Sequence, residues 1–139
     1  MSYKLDQVLY TAHTHTTGGR EGAGRASDGA VDVKLSTPGT GRPGTNPEQL
    51  FGIGYSACFI GAIEIAGKQL GIKLPKDTAI DAEVSLGKAG EGYGLGVKLK
   101  ISLPGLEAPV KAQLVQTAHQ TCPYSRSIRG NVDVEFEIA

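Results

Sequence analysis

The chain contains only two thiols, Cys58 and Cys122, and they sit in different surroundings. Cys58 lies inside Asn46-Pro-Glu-Gln-Leu-Phe-Gly-Ile-Gly-Tyr-Ser-Ala-Cys58-Phe-Ile-Gly-Ala-Ile-Glu-Ile-Ala-Gly67, a run that is apolar or small almost throughout. Cys122 opens Cys122-Pro-Tyr-Ser125 near the other end of the chain. A thiol attacks as its thiolate, and apolar burial raises the thiol pKa and suppresses that form. A reactive Cys58 therefore needs a cation brought to it by the fold. Arg20 and Arg25, in a glycine-rich turn, and Arg42, in a Pro/Gly loop, are the candidates. Such an arginine must itself be held, and Glu48 offers a carboxylate suited to a bidentate grip. One geometric difficulty follows. Ten residues of straight helix put Glu48 about 15 Å from Cys58, so the bridge needs a bend, for which Gly52-Ile-Gly54 is the place. The alternative is that both cysteines are inert small hydrophobes, a common fate of buried free thiols.

The elements that must position these groups can be read in order. Asn46, Pro47 and Glu48 form a helix start: a capping side chain, a proline at the first helical position and an acid at the positive end. The helix they open has no polar face, and it must be covered on every side. It is expected to stop near Gly67–Gly71, where Lys68 meets the negative end. Before it, residues 8–16 are rich in β-formers and predict a strand, the glycines of 17–29 mark a turn, and 30–36 alternates as a second strand. After it, 78–88 and 92–103 predict a long hairpin with one buried and one wet face. Pro109 starts a second helix with Val110, Leu114 and Ala118 on one stripe, residues 123–130 form a short turn or helix, and 131–138 alternates as a last strand. The whole is an α+β domain over 1–139, antiparallel sheets packed around a long buried central helix. A small sheet and one shorter helix cannot cover an apolar helix of this length, and Gly54, Gly61 and Ala62 invite close approach of another helix. A homodimer with its long helices buried between sheets is the expectation.

Composition narrows the function classes. Lys plus Arg and Asp plus Glu are both 14, giving zero formal charge, and no basic run with interleaved aromatics suggests nucleic-acid binding. Residues 50–67 approach a membrane span, but four glycines and Glu64 leave fewer than about 20 clean apolar residues. Residues 1–6 carry no apolar stretch of the signal-peptide kind, and a soluble cytoplasmic protein is expected. In that compartment two cysteines point to reduced or catalytic thiols rather than a structural bridge. His13 and His15 share a strand face and could begin a metal site with His119, but no carboxylate or cysteine lies near them in sequence, so no metal is assigned. The glycines of 17–29 and Gly92-Tyr-Gly94-Leu-Gly96 lack the Gly-Lys-Ser/Thr of a phosphate cradle and read as turns or bulges.

Several ordered motifs resemble the organic hydroperoxide resistance (Ohr) branch of the OsmC/Ohr thiol peroxidases. They are Leu9-Tyr-Thr-Ala, Gly18-Gly-Arg20 ending at Ser27-Asp-Gly29, Asn46-Pro-Glu48-Gln-Leu-Phe51, Gly54-Tyr-Ser-Ala-Cys58-Phe59, and Ala118-His-Gln-Thr-Cys122-Pro-Tyr-Ser-Arg-Ser-Ile-Arg-Gly-Asn131. The resemblance spans nearly the whole chain, and its last motif looks like Ohr rather than OsmC. It implies an intertwined α+β dimer and a peroxidase in which Cys58 is the peroxidatic nucleophile and Cys122 resolves its sulfenic acid as a disulfide. It further implies that Arg20 stabilises the thiolate and orients the peroxide, that Glu48 anchors Arg20, and that dihydrolipoamide, often carried on a lipoylated protein, is the reductant. No metal or haem is implied and no cofactor is bound. Phe51, Tyr55, Phe59 and Tyr124 are the expected walls of an apolar substrate slot, which favours organic hydroperoxides over hydrogen peroxide. Arg25 and Arg42 are then surface residues, and His119 supports the Cys122 turn. The competing readings are an OsmC-branch peroxidase of broader range, a redox switch without turnover, and a structural dimer with inert cysteines.

Overall fold

The longest element is the helix α1, Pro47–Leu70, in a computed structural model that describes residues 2–139. It begins on the expected proline, with Glu48 in its first turn and Lys68 in its last. Its end is set by Gly71, whose φ of 71° is open to glycine and strained for other residues. The Gly71 N–H donates to the Lys68 carbonyl and the Ile72 N–H to the Gly67 carbonyl at 2.8 Å, which satisfies the orphan carbonyls of the last turn.

The chain divides into two compact units, one ending at Pro47 and one running from Glu48 to Ala139. The first holds a three-stranded antiparallel sheet in the order β1 (Thr14–Thr17), β2 (Ala23–Ala26), β3 (Asp32–Lys34). The expected strand over 8–16 is thus regular only from Thr14, and β2 lies inside the glycine-rich stretch read as a turn. Strand residues need a ladder partner, and β2 supplies one only as far as Thr14 opposite Ala26. Between β1 and β2, Gly19–Glu21 makes one 3-10 turn, which carries Arg20. That turn requires glycine on both sides: Gly18 has φ 73°, and a Cβ on Gly22 would sit 1.8 Å from the Thr17 carbonyl oxygen. The loop that leads to α1 is tied back by a bridge between Leu35 and Thr45.

In the second unit β4 (Ala79–Ala89) and β5 (Gly92–Ser102) form the expected hairpin, in register from Ala79 opposite Ser102 to Ala89 opposite Gly92. The last strand, β6 (Asp133–Ile138), departs from an all-antiparallel arrangement and pairs parallel to β5. The reason is the crossover through α2 (Ala108–Thr121) and α3 (Pro123–Ile128), which returns the chain to the same end of the sheet. The core is the alternating face of β5 (Val97, Leu99, Ile101, continued by Leu103) against Tyr55, Phe59, Ile63 and Ala66 of α1 and Leu114, Val115 and Ala118 of α2. The fold is therefore α+β, two small sheets and a central helix. Within one chain α1 is covered on one face only: Ile53 remains 70% and Ile65 59% exposed. Of the small residues expected to admit another helix, Ala62 is buried in the core, Gly54 is occupied by Tyr124 of the same chain, and only Gly61 meets nothing.

Candidate active site

The two sulfurs come together. Cys122 Sγ lies 3.5 Å from Cys58 Sγ, and both are free thiols. Cys122 is fully buried, whereas Cys58 is half-buried on α1 and retains access. The local sequence explains how Cys122 reaches this place. A residue before proline is pushed out of the helical region, and Cys122 has ψ 124° and closes α2 as Pro123 opens α3. The Cys122 N–H still caps α2 by donating to the Ala118 carbonyl at 2.8 Å, and its carbonyl accepts from the Arg126 N–H at 2.9 Å. The sulfur is thus held at a fixed corner between two helices.

The same corner supplies a donor to Cys58. The first N–H groups of a helix have no partner within it, and Pro123 has none to offer, so that of Tyr124 is free to turn outward. It favours the charged form of the Cys58 sulfur and so lowers its pKa. Burial nevertheless dominates and pushes the Cys58 thiol above the usual thiol range, against the lowering effect of the Tyr124 N–H, while the adjoining Cys122 adds to the rise. This apolar corner disfavours the Cys58 thiolate.

An aromatic cluster surrounds the corner. Tyr55 and Tyr124 stack with centroids 5.8 Å apart, and Phe51 meets them edge-on at 5.9 and 5.8 Å. Tyr55 and Phe59 are fully buried and form its floor, while Phe51 is half-buried and Tyr124 is exposed. Gly54 makes this packing possible, because a Cβ there would lie 2.8 Å from the Tyr124 phenolic oxygen. Behind the cluster the Tyr55 hydroxyl and Ser125 Oγ are hydrogen-bonded at 2.6 Å, both residues fully buried. Sequence reasoning missed Ser125 and the Tyr124 amide. The only available signal was the proline after Cys122, which exposes the next amide.

His119 lies one turn before Cys122, its ring edge against Phe136 at 4.8 Å and its Nδ1 buried without a hydrogen-bond partner. Burial, and secondarily the Arg129 cation, hold its pKa below the usual imidazole value, so the ring is neutral. The Arg129 guanidinium donates to the His119 carbonyl at the end of α2. Within the first unit, Arg42 pairs with Glu21 at 2.5 Å. Arg25 stands opposite His15 in the β1–β2 ladder, so a cation faces the His13/His15 edge. Among the described residues no group of three or more His, Cys, Asp or Glu gathers that could hold a metal. Arg20 is carried by the Gly19–Glu21 turn of the first unit, and Glu48 by the first turn of α1, upstream of Cys58 on one uninterrupted helix.

Residues 38–137 match the family model described as OsmC-like protein. The chain is 50% identical, over 96% of its length and 97% of the relative's, to the organic hydroperoxide resistance protein of Xanthomonas axonopodis pv. citri (strain 306). Its fold is similar to the crystal structure of the organic hydroperoxide resistance protein OhrB of Bacillus subtilis, with TM-score 0.89 and 41% identity over 95% of this chain and 100% of that one. It is also similar to an organic hydroperoxide resistance protein of Vibrio cholerae O1 biovar eltor str. N16961, solved with captopril in one of its active sites, with TM-score 0.88 and 37% identity over 97% and 95% of the two chains.

Proposed function

The chain belongs to the OsmC-like family, on the branch of the organic hydroperoxide resistance proteins, and from that premise we propose that it is a two-cysteine peroxidase for organic hydroperoxides. The observation that carries the mechanism is the 3.5 Å approach of an accessible sulfur to a fully buried one. The accessible Cys58 thiolate attacks the distal oxygen of ROOH. The O–O bond breaks, the alkoxide takes a proton and leaves as ROH, and Cys58 becomes a sulfenic acid. The Cys122 sulfur then attacks Cys58 Sγ, water leaves, and the Cys58–Cys122 disulfide forms. A disulfide has its sulfurs about 2.05 Å apart, so the step needs roughly 1.5 Å of travel, within reach of side-chain rotation at the corner. Two electrons and two protons from a dithiol of the dihydrolipoamide type, free or on a lipoylated protein, restore both thiols. This chemistry fits a reducing cytoplasm.

Because the corner raises the Cys58 pKa, a positive charge from outside it would favour the thiolate. In this reading Arg20 supplies that charge and aims the peroxide, and Glu48 holds Arg20 by its carboxylate. Arg42 serves less well, since Glu21 already engages it. Phe51 and Tyr124, over the buried floor of Tyr55 and Phe59, give an alkyl chain a surface worth about 0.8 kcal/mol per buried CH₂, from which hydrogen peroxide gains nothing. The uncovered face of α1, with Ile53 and Ile65 exposed, is assigned to a second copy in a homodimer.

The test is steady-state turnover. With dihydrolipoamide, cumene hydroperoxide should be reduced with at least ten-fold higher kcat/KM than hydrogen peroxide, and glutathione should not replace the dithiol. Equal efficiency on the two peroxides would move the chain to a broad-range peroxidase. A disulfide that forms once and is not recycled would make it a redox switch.

A further inference from the structure

Resting on the two-cysteine reading above, we infer that Ser125 is a positioning residue for the resolving step: its hydrogen bond to Tyr55 clasps the Cys122-bearing corner onto the helix that carries Cys58. The bond joins residues far apart in sequence, is 2.6 Å long and is shut off from solvent, since both partners are fully buried. It ties α1 to α3 three residues after Cys122, whose sulfur lies 3.5 Å from that of Cys58. On α1, Tyr55 lies three residues before Cys58, on the adjoining turn, so the clasp spans the same gap as the two sulfurs. Its neighbour Ser127 is spent differently: that hydroxyl is exposed and donates to the Tyr124 carbonyl within α3. Of the two serines in this helix, only Ser125 reaches another element.

The chemistry needs such a clasp at one step and not at the other. Attack of Cys58 on a hydroperoxide depends on Cys58, its charge partner and the bound substrate, and the Cys122 sulfur forms no bond in it. Condensation needs Cys122 Sγ to close about 1.5 Å onto Cys58 Sγ, which side-chain rotation can do only if the α3 backbone stays in place. Displacement of a reacting atom by about 1 Å costs up to about a hundred-fold in rate. While resolution waits, the sulfenic acid stays open to a second hydroperoxide, which oxidises it to the sulfinic acid and releases a second alcohol. The clasp therefore sets the partition between disulfide and irreversible overoxidation.

Single-turnover reaction of the full chain with tert-butyl hydroperoxide, followed by mass spectrometry with dimedone trapping of the sulfenic acid, tests this. Ser125→Ala should form the Cys58 sulfenic acid at the wild-type rate, form the disulfide at least ten-fold more slowly, and accumulate sulfinic acid at peroxide concentrations the wild type survives. Tyr55→Phe combined with Ser125→Ala removes both polar groups and leaves no buried hydroxyl unpaired, so thermal stability should recover while resolution stays slow. Wild-type partition in Ser125→Ala, recovery of the resolution rate along with stability in the double variant, or equal loss of both steps would each overturn the proposal. A wild type that forms no disulfide would overturn the peroxidase reading instead.

Discussion

Cys58 is a thiol whose nearest surroundings work against its ionisation: burial outweighs the single amide of Tyr124. The folded chain therefore holds this proton more tightly than the unfolded chain. The stability tied to it is intact below the ordinary thiol range and is lost as pH rises through the raised folded value. If Arg20 supplies the missing charge, Arg20→Ala should shift the inflection of Cys58 alkylation by iodoacetamide to higher pH, beyond the range of a free cysteine. An unchanged profile would remove Arg20 from the site. His119 titrates in the opposite sense. Its depressed pKa means the unfolded chain binds the proton more readily, so stability present above about pH 6.5 should decline as pH falls below it. In His119→Gln, the part of the acid-side decline in Tm over that window due to this ring should disappear. The two cysteines stood out in the sequence as its only thiols, and the fold brings their sulfurs to 3.5 Å. Ser125 did not stand out. In Ser125-Arg-Ser127 the two serines look alike, and only the fold shows one fully buried against Tyr55 and the other exposed.

At the scale of elements, helix α1 carries glycines that do different work. Alanine at Gly54 would place a Cβ 2.8 Å from the Tyr124 hydroxyl, the far end of an exposed side chain that can swing aside. Helix propensity returns about 1 kcal/mol, so Gly54→Ala should be near neutral in Tm while it breaks the Tyr55–Tyr124 stack. Alanine at Gly67 would meet the Ile72 backbone carbonyl at 2.8 Å, on a residue whose own N–H is fixed by the helix-ending hydrogen bond to the Gly67 carbonyl. Gly67→Ala should therefore cost about 1–3 kcal/mol in denaturant unfolding despite the same propensity gain. The turn that carries Arg20 is tied to the following loop through Glu21, which accepts from the Thr37 amide and pairs with Arg42. Glu21→Gln should slow peroxidation of Cys58 several-fold without altering resolution, whereas equal effects on both steps would assign this contact to stability alone. Alternation made the β4–β5 hairpin, and the Asn46-Pro47-Glu48 signal the start of α1, readable to within a residue or two. Strand β2 escaped because Ala23-Gly-Arg-Ala26 has no apolar alternation, and its pairing comes from the flanking strands. The parallel pairing of β6 escaped because strand polarity is set by the crossover and not by the strand's own sequence.

For the whole molecule, the unfinished feature is the outer face of α1. The sequence shows a helix with no polar side, and one chain buries only part of it, leaving Ile53 and Ile65 in solvent. A second copy covering that face predicts a dimer by light scattering at micromolar concentration, and Ile53→Glu should shift it toward monomer with loss of stability. A wild-type monomer would remove the assignment. The sequence could reveal that this helix needed more cover than one chain provides. It could not show which residues remained uncovered, since Gly54 and Ala62, read as part of an intermolecular face, are taken up within the chain.

Everything proposed for this chain turns on whether the two sulfurs 3.5 Å apart form one peroxide-reducing pair. The most direct test is the fate of both thiols after one equivalent of tert-butyl hydroperoxide, read by mass spectrometry in the wild type, Cys58→Ser and Cys122→Ser. A peroxide-reducing pair should give a Cys58–Cys122 disulfide in the wild type that dihydrolipoamide reverses, no thiol loss in Cys58→Ser, and a trapped Cys58 sulfenic acid in Cys122→Ser. Two unreacted thiols in the wild type would contradict it and leave Cys58 a buried hydrophobe.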